Sequence, residues 1–505
     1  MSFTASLIKG AIDLNQRLSF SSVDPGEQQK EQLTHLLEKA KNTSFGKYYN
    51  FSGLLKSDNL LAAYQKSVPI FDYHQMDEAW WSQQQKHPDI TWPGLPDYFA
   101  LSSGTTGKSS KRIPITSEFI QSMRDVGTSL VKSLPNFDFP KELFDTEILM
   151  LSSSSNLNKR NGHFEGEISG INVSNFPGWY DWFYRPGQEI AAIDDWDERI
   201  ARIVEEAPSW NIGAIAGIPS WVLTMLQEIV KAHDLKTIHD IWPNLTVYAS
   251  GGVAYDTYRK GFDAISERPL TIIDTYLASE GFFAYTSRPD SMSMQLALSH
   301  GYFYEFVPFD QRGVDDQGNL LQNPLALDIN EVELNQEYVM LVSTCSGAWR
   351  YVIGDVIRFT SLDPHEMVIT GRTKFFLNVV GSQLSEEKMD AAILEVNEQL
   401  KVDVGEYAVA ALQDEHSDYF HQWVAVSDGQ IDENAYRLQL DKALQQANKN
   451  YQVARGKALK YIKLKVISKS TYHQYLASTK KVGGQMKTPK VMGAEKMQNF
   501  LQAIN

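Results

Sequence analysis

The chain has 505 residues, enough for roughly two to four domains with real cores, which excludes a small scaffold dependent on covalent staples. With 43% hydrophobic and 22% charged residues, 32 Gly and 19 Pro, its usage is that of an ordinary globular protein and excludes disordered, collagenous and coiled-coil classes. A formal charge of −15 argues against a chain-wide nucleic-acid surface, and the single Cys345 excludes an intramolecular disulfide and any zinc site of several thiolates, which makes a reducing compartment, the cytoplasm, the default.

The first twenty residues, MSFTASLIKGAIDLNQRLSF, interrupt any apolar run with Lys9, Asp13 and Arg17. No later stretch offers about 18 uncharged apolar residues, so neither a secretory leader nor a membrane span is expected. Leu33, Leu36, Leu37 and Ala40 share one face of a helix predicted over 27–40, and similar periodicity predicts helices over 117–133, 196–206, 219–232 and 256–266. Between them, TEILML (146–151), NLTVYA (244–249), LTIIDTY (270–276) and EYVMLVST (337–344) read as short buried strands rich in β-branched residues. Strands alternating with helices predict an α/β layered architecture.

The pattern changes around 371–384, and a domain boundary is expected near Leu377, giving a large N-terminal domain over 1–376 and a small α+β lobe over 377–505. The lobe is predicted to hold a helix over 385–399 with Glu386 and Glu387 in its first turn. Strands at 407–412 and 421–426, a helix over 432–448 and a strand at 461–467 follow. Lys449 onward carries twelve basic residues against the single acid Glu495, a solvated basic surface unless other residues give it a polyanion to close over.

Four segments carry chemistry. LSSGTTGKSSKRIPIT (101–116) follows the apolar DYFAL and precedes the helix expected from Ser117; glycines expose backbone N–H groups, hydroxyls add donors, and Lys108 or Lys111 adds charge, all suited to phosphate. A Walker A loop would use Gly107, Lys108 and Ser109, but its first glycine falls at Ser102. DTYLASEGFFAY puts Thr275, Tyr276, Ser279 and Glu280 at the end of a buried strand, where a carboxylate can hold a metal ion over phosphates. WRYVIGDVIRFT puts Asp355 in a tight Gly-Asp turn between two strands, able to accept both hydroxyls of a ribose, and GRTKFFLNVVGSQLSEEKM adds Arg372 downstream.

Taken in this order and spacing, the chain resembles the GH3 family, the acyl acid amido synthetases of the adenylate-forming superfamily. SSGTTGKSSK is similar to the family's phosphate loop SSGTS-x-G-x-x-K, TYLASEG to its Tyr-x-x-Ser-Glu-Gly segment, YVIGDV to Tyr-Arg-x-Gly-Asp-Val, and GGQMKTPK (483–490) to Gly-Gln-x-Lys-x-Pro-Arg. The likeness runs from FGKYYNF (45–51) and VPIFDY (68–73) to that ending. Departures are Lys490 in place of Arg, Thr106 in place of Ser, and Arg350 preceding Tyr351 rather than following it.

The resemblance implies a large adenylate-forming domain of layered sheets and helices that binds ATP and an acyl acid, and a small mobile C-terminal domain hinged near 376–383, where Gly381 can absorb a dihedral change. It implies phosphate contacts from Ser102, Ser103, Thr105 and Thr106, Mg2+ on Glu280, and ribose and α-phosphate held by Asp355 and Arg372. Thr275, Tyr276 and Ser279 would line the nucleotide site, Gly251, Gly252 and Val253 would lie beside the adenine, and Lys487 would reach in from the small lobe. The expected partners are a small carboxylic acid and an amine, most simply an amino acid, with neither nucleic acid nor membrane. An acyl-CoA ligase sharing the first half-reaction, and a non-catalytic nucleotide-binding protein of the same fold, are the rival readings. Glu280→Ala and Asp355→Ala are expected to abolish adenylation with the fold intact. His163 with Glu165 and Glu167 reads as an ordinary strand, and the aromatic run FPGWYDWFY (176–184) as core or the wall of an acyl pocket.

Overall fold

The architecture comes from a computed structural model that describes residues 24–102, 111–252, 255–289, 291–315, 318–373, 384, 386–415, 418–457, 459–478 and 490–504. The first described helix, Pro25–Ala40, starts where Asp24 accepts from the Glu27 N–H at 3.1 Å and buries Leu33, Leu36, Leu37 and Ala40, the predicted face. Helices Ser117–Ser133, Trp196–Glu206 and Pro219–Ala232 also fall where periodicity places them. The helix expected over 256–266 shortens to Arg259–Ala264 behind a 3₁₀ turn.

An eleven-stranded sheet dominates the larger part of the chain. Five strands form its parallel half: β3 (Glu147–Leu151), β6 (Tyr184–Arg185), β7 (Ile212–Gly217), β8 (Val247–Gly251) and β9 (Thr271–Ala278), in the order β6-β3-β7-β8-β9. Helices Trp196–Glu206 and Pro219–Ala232 cover it, packing Ile200, Ile203, Val222, Met225 and Ile229 against Ile215 and Tyr248. The parallel half therefore reads as continuous apolar runs, as a sheet buried by crossover helices must.

The antiparallel half continues from β9 through β10 (Gly281–Tyr285), β11 (Met294–Leu296), β15 (His365–Arg372), β14 (Tyr351–Leu362) and β13 (Glu337–Thr344) to β12 (Tyr302–Pro308). EYVMLVST is thus a strand of the same sheet, paired antiparallel on both sides. Its aromatic layer packs under the N-terminal helices, with Trp81, Trp349, Tyr302 and Tyr304 buried together. Arg350, the displaced basic residue of the sequence motif, is structural: it pairs with Glu305 at 2.8 Å and donates to the Gln65 and Val68 carbonyls, both partners of the ion pair being buried.

A second sheet has the order β2-β1-β5-β4, from β1 (Tyr98–Ser102), β2 (Lys111–Ile115), β4 (Asn158–Arg160) and β5 (His163–Gly166). β1 and β2 are antiparallel with Ser102 opposite Lys111, so the chain between them joins two strands of a hairpin. A Walker A loop instead joins a strand to a helix, and this sets it aside.

Beyond residue 384, the helix Glu386–Leu400, the strands β16 (Glu406–Gln413), β17 (Tyr419–Val426) and β18 (Leu459–Ile467) and the helix Glu433–Ala447 match the predicted lobe within about two residues. Apolar clusters cover both faces of its sheet: Tyr407, Val409 and Trp423 on one, Ala408, Val424 and Phe500 on the other.

Candidate active site

The C-terminal ends of β7, β8 and β9 open at the point where the large sheet changes from parallel to antiparallel, the kind of crevice in which open α/β sheets bind ligands. β8 ends at Gly251, opposite Thr275, whose hydroxyl donates to the Ser250 carbonyl at 2.8 Å. A Cβ on Gly251 would lie 2.7 Å from Thr275 Oγ1, and Gly252 follows with φ +83°. The two glycines thus provide bare backbone at the strand end where a flat ligand can approach.

One strand over, β9 turns into β10 through Ser279 and Glu280, with Gly281 paired to Ala278. The turn holds Glu280 only 6% exposed. Burial pushes its pKa up, the charges of Lys111 and Arg372 pull it down, and Asp355 adds to the rise. The charge of Lys111, one of the two lysines left open by sequence, thus acts on Glu280, its ammonium lying 5.3 Å from the centre of the Tyr73 ring; Lys108 lies outside the described residues.

The expectation of a Gly-Asp turn between two strands is corrected. β14 runs unbroken past Asp355, and its pairing with β13 slips there: Val352 faces Leu341 while Val356 faces Val339. Ile353, Gly354 and Asp355 are fitted opposite the single Met340, a bulge that needs φ +96° at Gly354 and re-aims the next side chain. Asp355 then lies directly across from Arg372 on β15. Arg372 Nε is 2.7 Å from Asp355 Oδ1, the Tyr276 hydroxyl donates to Oδ2 at 2.5 Å, and Arg372 Nη2 donates to the Ile353 carbonyl at 3.1 Å.

The structure thus brings together Tyr276, Glu280, Asp355 and Arg372, with Thr275, Gly251 and Gly252 on the adjoining strand ends and Ser279 in the turn. Ser102 ends β1 beside Lys111. Ser103, Thr105, Thr106, Val253, Gly381 and Lys487 lie outside the described residues, as does the boundary expected near Leu377.

Sequence reasoning missed Tyr351. It is buried, and after burial the charge of Glu280 is the strongest influence on it. Its place four residues before Asp355 on one strand was the available signal. His163 and Glu165 instead form a structural knot, with Glu165 held by His163 at 3.2 Å and Arg112 at 3.0 Å. A single carboxylate such as Glu280 suits Mg2+, which binds through one or two carboxylates and takes its remaining oxygens from phosphates and water.

Solved structures sharing this fold include the GH3.15 acyl acid amido synthetase in complex with 2,4-DB, at TM-score 0.78 and 16% identity over 100% of this chain and 97% of that one. They also include 2-hydroxyisobutyryl-CoA ligase in the postadenylation state with R3-HIB-AMP, at TM-score 0.60 and 12% identity over 95% and 92%. The fold is therefore the one shared by acyl acid amido synthetases and acyl-CoA ligases. The profiles of the GH3 family N-terminal, central and C-terminal domains match residues 15–200, 295–372 and 386–496. The chain belongs to the GH3 family.

Curated relatives include indole-3-acetic acid-amido synthetase GH3.8 of Oryza sativa subsp. indica, 27% identical over 162 residues, 30% of this chain and 26% of that protein. Indole-3-acetic acid-amido synthetase GH3.5 of Arabidopsis thaliana is 32% identical over 137 residues, 24% and 21%. The matched stretches thus span about a quarter of the length of these relatives.

Proposed function

We propose that the chain is an acid–amino acid ligase that forms AMP. A carboxylate oxygen of the acid attacks the α-phosphorus of ATP and pyrophosphate leaves; an amine then attacks the carbonyl carbon of the acyl adenylate, AMP leaves, and the nitrogen sheds its proton as the amide forms. The observation that carries this reading is the Tyr276–Asp355–Arg372 cluster beside Glu280 and Lys111 at the strand ends. Asp355 offers a fixed acceptor for ribose hydroxyls, Arg372 orients the α-phosphate, and Lys111 with the donors of 102–107 meets charge as it builds on the leaving phosphates. Bound at Glu280, Mg2+ would supply Lewis-acid stabilisation of that charge.

In this reading Lys487 enters from a mobile lobe, and residue 377 as the boundary falls between the stretches matched as central and C-terminal domains. The lobe already touches the site's rim: Tyr258 donates to Glu406, and Arg372 acts on Glu386. A cytoplasmic location is supported by the single cysteine, and among the described residues no helix is long and apolar enough to cross a membrane.

The rival is an acyl-CoA ligase, favoured by the shared fold alone. Coenzyme A needs a surface for its phosphorylated nucleotide, which the basic stretch from Lys449 could give. The amide-forming branch is preferred because all three family domains match in order. Incubation with ATP, Mg2+, a panel of acids and either mixed amino acids or CoA, read by product mass, decides between them. An amide is expected; a thioester with no amide would overturn the reading.

A further inference from the structure

Among the described side chains, several buried polar atoms without partners lie near one another outside the nucleotide cluster. Arg199 is 3% exposed, and its Nε and Nη1 have no hydrogen-bond partner; the Trp221 Nε1 has none either, and the fully buried Tyr184 hydroxyl has the Ser152 hydroxyl beside it. The Arg199 guanidinium lies 5.1 Å from the centre of the Trp196 ring, and Trp196 meets Trp221 edge-on at 4.7 Å. Tyr184 acts on Arg199 electrostatically, so these side chains form one neighbourhood. Asp194 and Glu167 reach Arg199 only as more distant charges, and Asp194 is already bonded by Ser154 at 2.7 Å and Asn156 at 2.8 Å.

A buried guanidinium with open N–H groups is costly to fold around, and such groups in native proteins call for an explanation. Arg199 Nε and Nη1 and Trp221 Nε1 are obligate donors, and the Tyr184 phenol beside them can donate as well, a set that fits an anion. A guanidinium fork matches a carboxylate in particular. The position is equally specific. Tyr184 begins β6, while Trp196 and Arg199 open one helix and Trp221 opens the next. The two helix starts lie at the same C-terminal edge of the parallel half as Thr275, while Tyr184, opposite Ile148, stands lower in the sheet.

We infer that Arg199, Tyr184 and Trp221 form a subsite for a second carboxylate at the far end of the acyl acid, so that the substrate is a dicarboxylic acid. This rests on the acid-activating reading above and gives it a substrate class. β6 is four places from β9 and β7 two places, so the subsite lies about 10–19 Å along the strand ends from Glu280 at ~4.8 Å per strand. That is too far for the α-carboxylate of an amino acid whose amine attacks the adenylate, and a fitting distance for the distal group of an extended acid. The aromatic cluster Phe176, Tyr180 and Tyr184 borders this end, while Trp182 of the same run is 85% exposed.

The test pairs linear dicarboxylates of increasing length with their monomethyl esters, using calorimetric titration without ATP and pyrophosphate release with it. The parent protein is expected to bind one diacid at least about 100-fold more tightly than its ester, and Arg199→Met to lose that preference to within about 3-fold, as a site left without its polar partner does. Arg199→Lys should keep part of it. Because the methionine removes an unpaired buried charge, the unfolding temperature of Arg199→Met is expected to hold or rise, and a fall would mark the arginine as a structural residue and overturn the proposal. Equal binding of diacid and ester by the parent, or an unchanged preference in Arg199→Met, would also overturn it. The titration consumes no ATP, so it separates failure of the subsite from failure of the ligase reading.

Discussion

The Tyr276 hydroxyl reaches Asp355 at 2.5 Å although their strands, β9 and β14, stand four places apart in the large sheet. In a flat sheet four places would separate them by about 19 Å, several times the reach of a tyrosine. The antiparallel half must therefore curl back on itself, and the bulges in β10, β14 and its pairing with β15 are the local kinks that allow it. The curl is what turns two remote sequence motifs into one site.

Tyr276→Phe tests that link. Removing a donor to a buried carboxylate is expected to cost about 1.5–3 kcal/mol of stability, as hydrogen bonds to charged groups do. Urea denaturation reads the stability. Pyrophosphate release should show a raised KM for ATP, because Asp355 loses one of the two groups that aim it; an unchanged KM and stability would show the contact to be incidental.

Asp355→Ala is no longer expected to leave the fold untouched, since the aspartate has two protein partners rather than only a ligand. Arg372 is 37% exposed, so water recovers part of the stranded charge, and a loss of about 1–3 kcal/mol is expected rather than the ~3–5 of a fully buried pair. A double-mutant cycle with Arg372→Ala should show the stability losses falling short of additive, while every member of the cycle loses adenylation. Additive losses would contradict the pairing.

Glu280 gives a pH signature. Its pKa is raised in the folded protein, mainly by burial, above the ordinary value of 4.5. The folded state therefore holds the proton more tightly than the unfolded chain. The stability this group contributes is present below 4.5 and is lost as pH rises through the raised native value. Glu280→Gln, which cannot ionise, should gain stability relative to the parent across that interval, then hold a constant advantage, while losing adenylation. Thermal melts from acid to neutral pH check this; a gap independent of pH would contradict the assignment.

How much of this was legible in the sequence depended on range. Glu280 and Asp355 stand out because a Ser-Glu-Gly turn and a Gly-Asp pair are local signals, and the helices and strands of the small lobe follow from periodicity. Asp355 was misplaced in a turn because a bulge and a turn both need the permissive glycine at 354; only the pairing partner β13 distinguishes them. The approach of Tyr276 to Asp355 depends on sheet curvature, a sum of small twists over many strands that no local pattern records. No local motif marks Arg199, and Tyr184 falls in the aromatic run that reads as core or the wall of an acyl pocket.

Lys490 tests the departure from the family's usual arginine. Its ammonium sits 2.7 Å from Asp390 and 3.5 Å from Glu386, with side chains only 13% and 15% exposed in the closer pair, and its backbone is stitched to Val409. Lys490→Met should destabilise the small lobe by about 3–5 kcal/mol by leaving the carboxylates uncompensated. Lys490→Arg should stay within about 1 kcal/mol, because a guanidinium can serve both acids. Urea unfolding followed by hydrogen exchange in the lobe reads the difference, and equal losses in both variants would mean that charge at this position is not what holds the lobe.

The central claim is that the acid is activated as an acyl adenylate. An acid substrate labelled with oxygen-18 in its carboxylate, turned over with ATP, Mg2+ and an amino acid, tests it most directly by the mass of the products. Attack on the α-phosphorus must leave one acid oxygen on the departing nucleotide, so the account predicts AMP heavier by one labelled oxygen alongside the amide. Unlabelled nucleotide with the heavy oxygen in inorganic phosphate, or ADP in place of AMP, would contradict it.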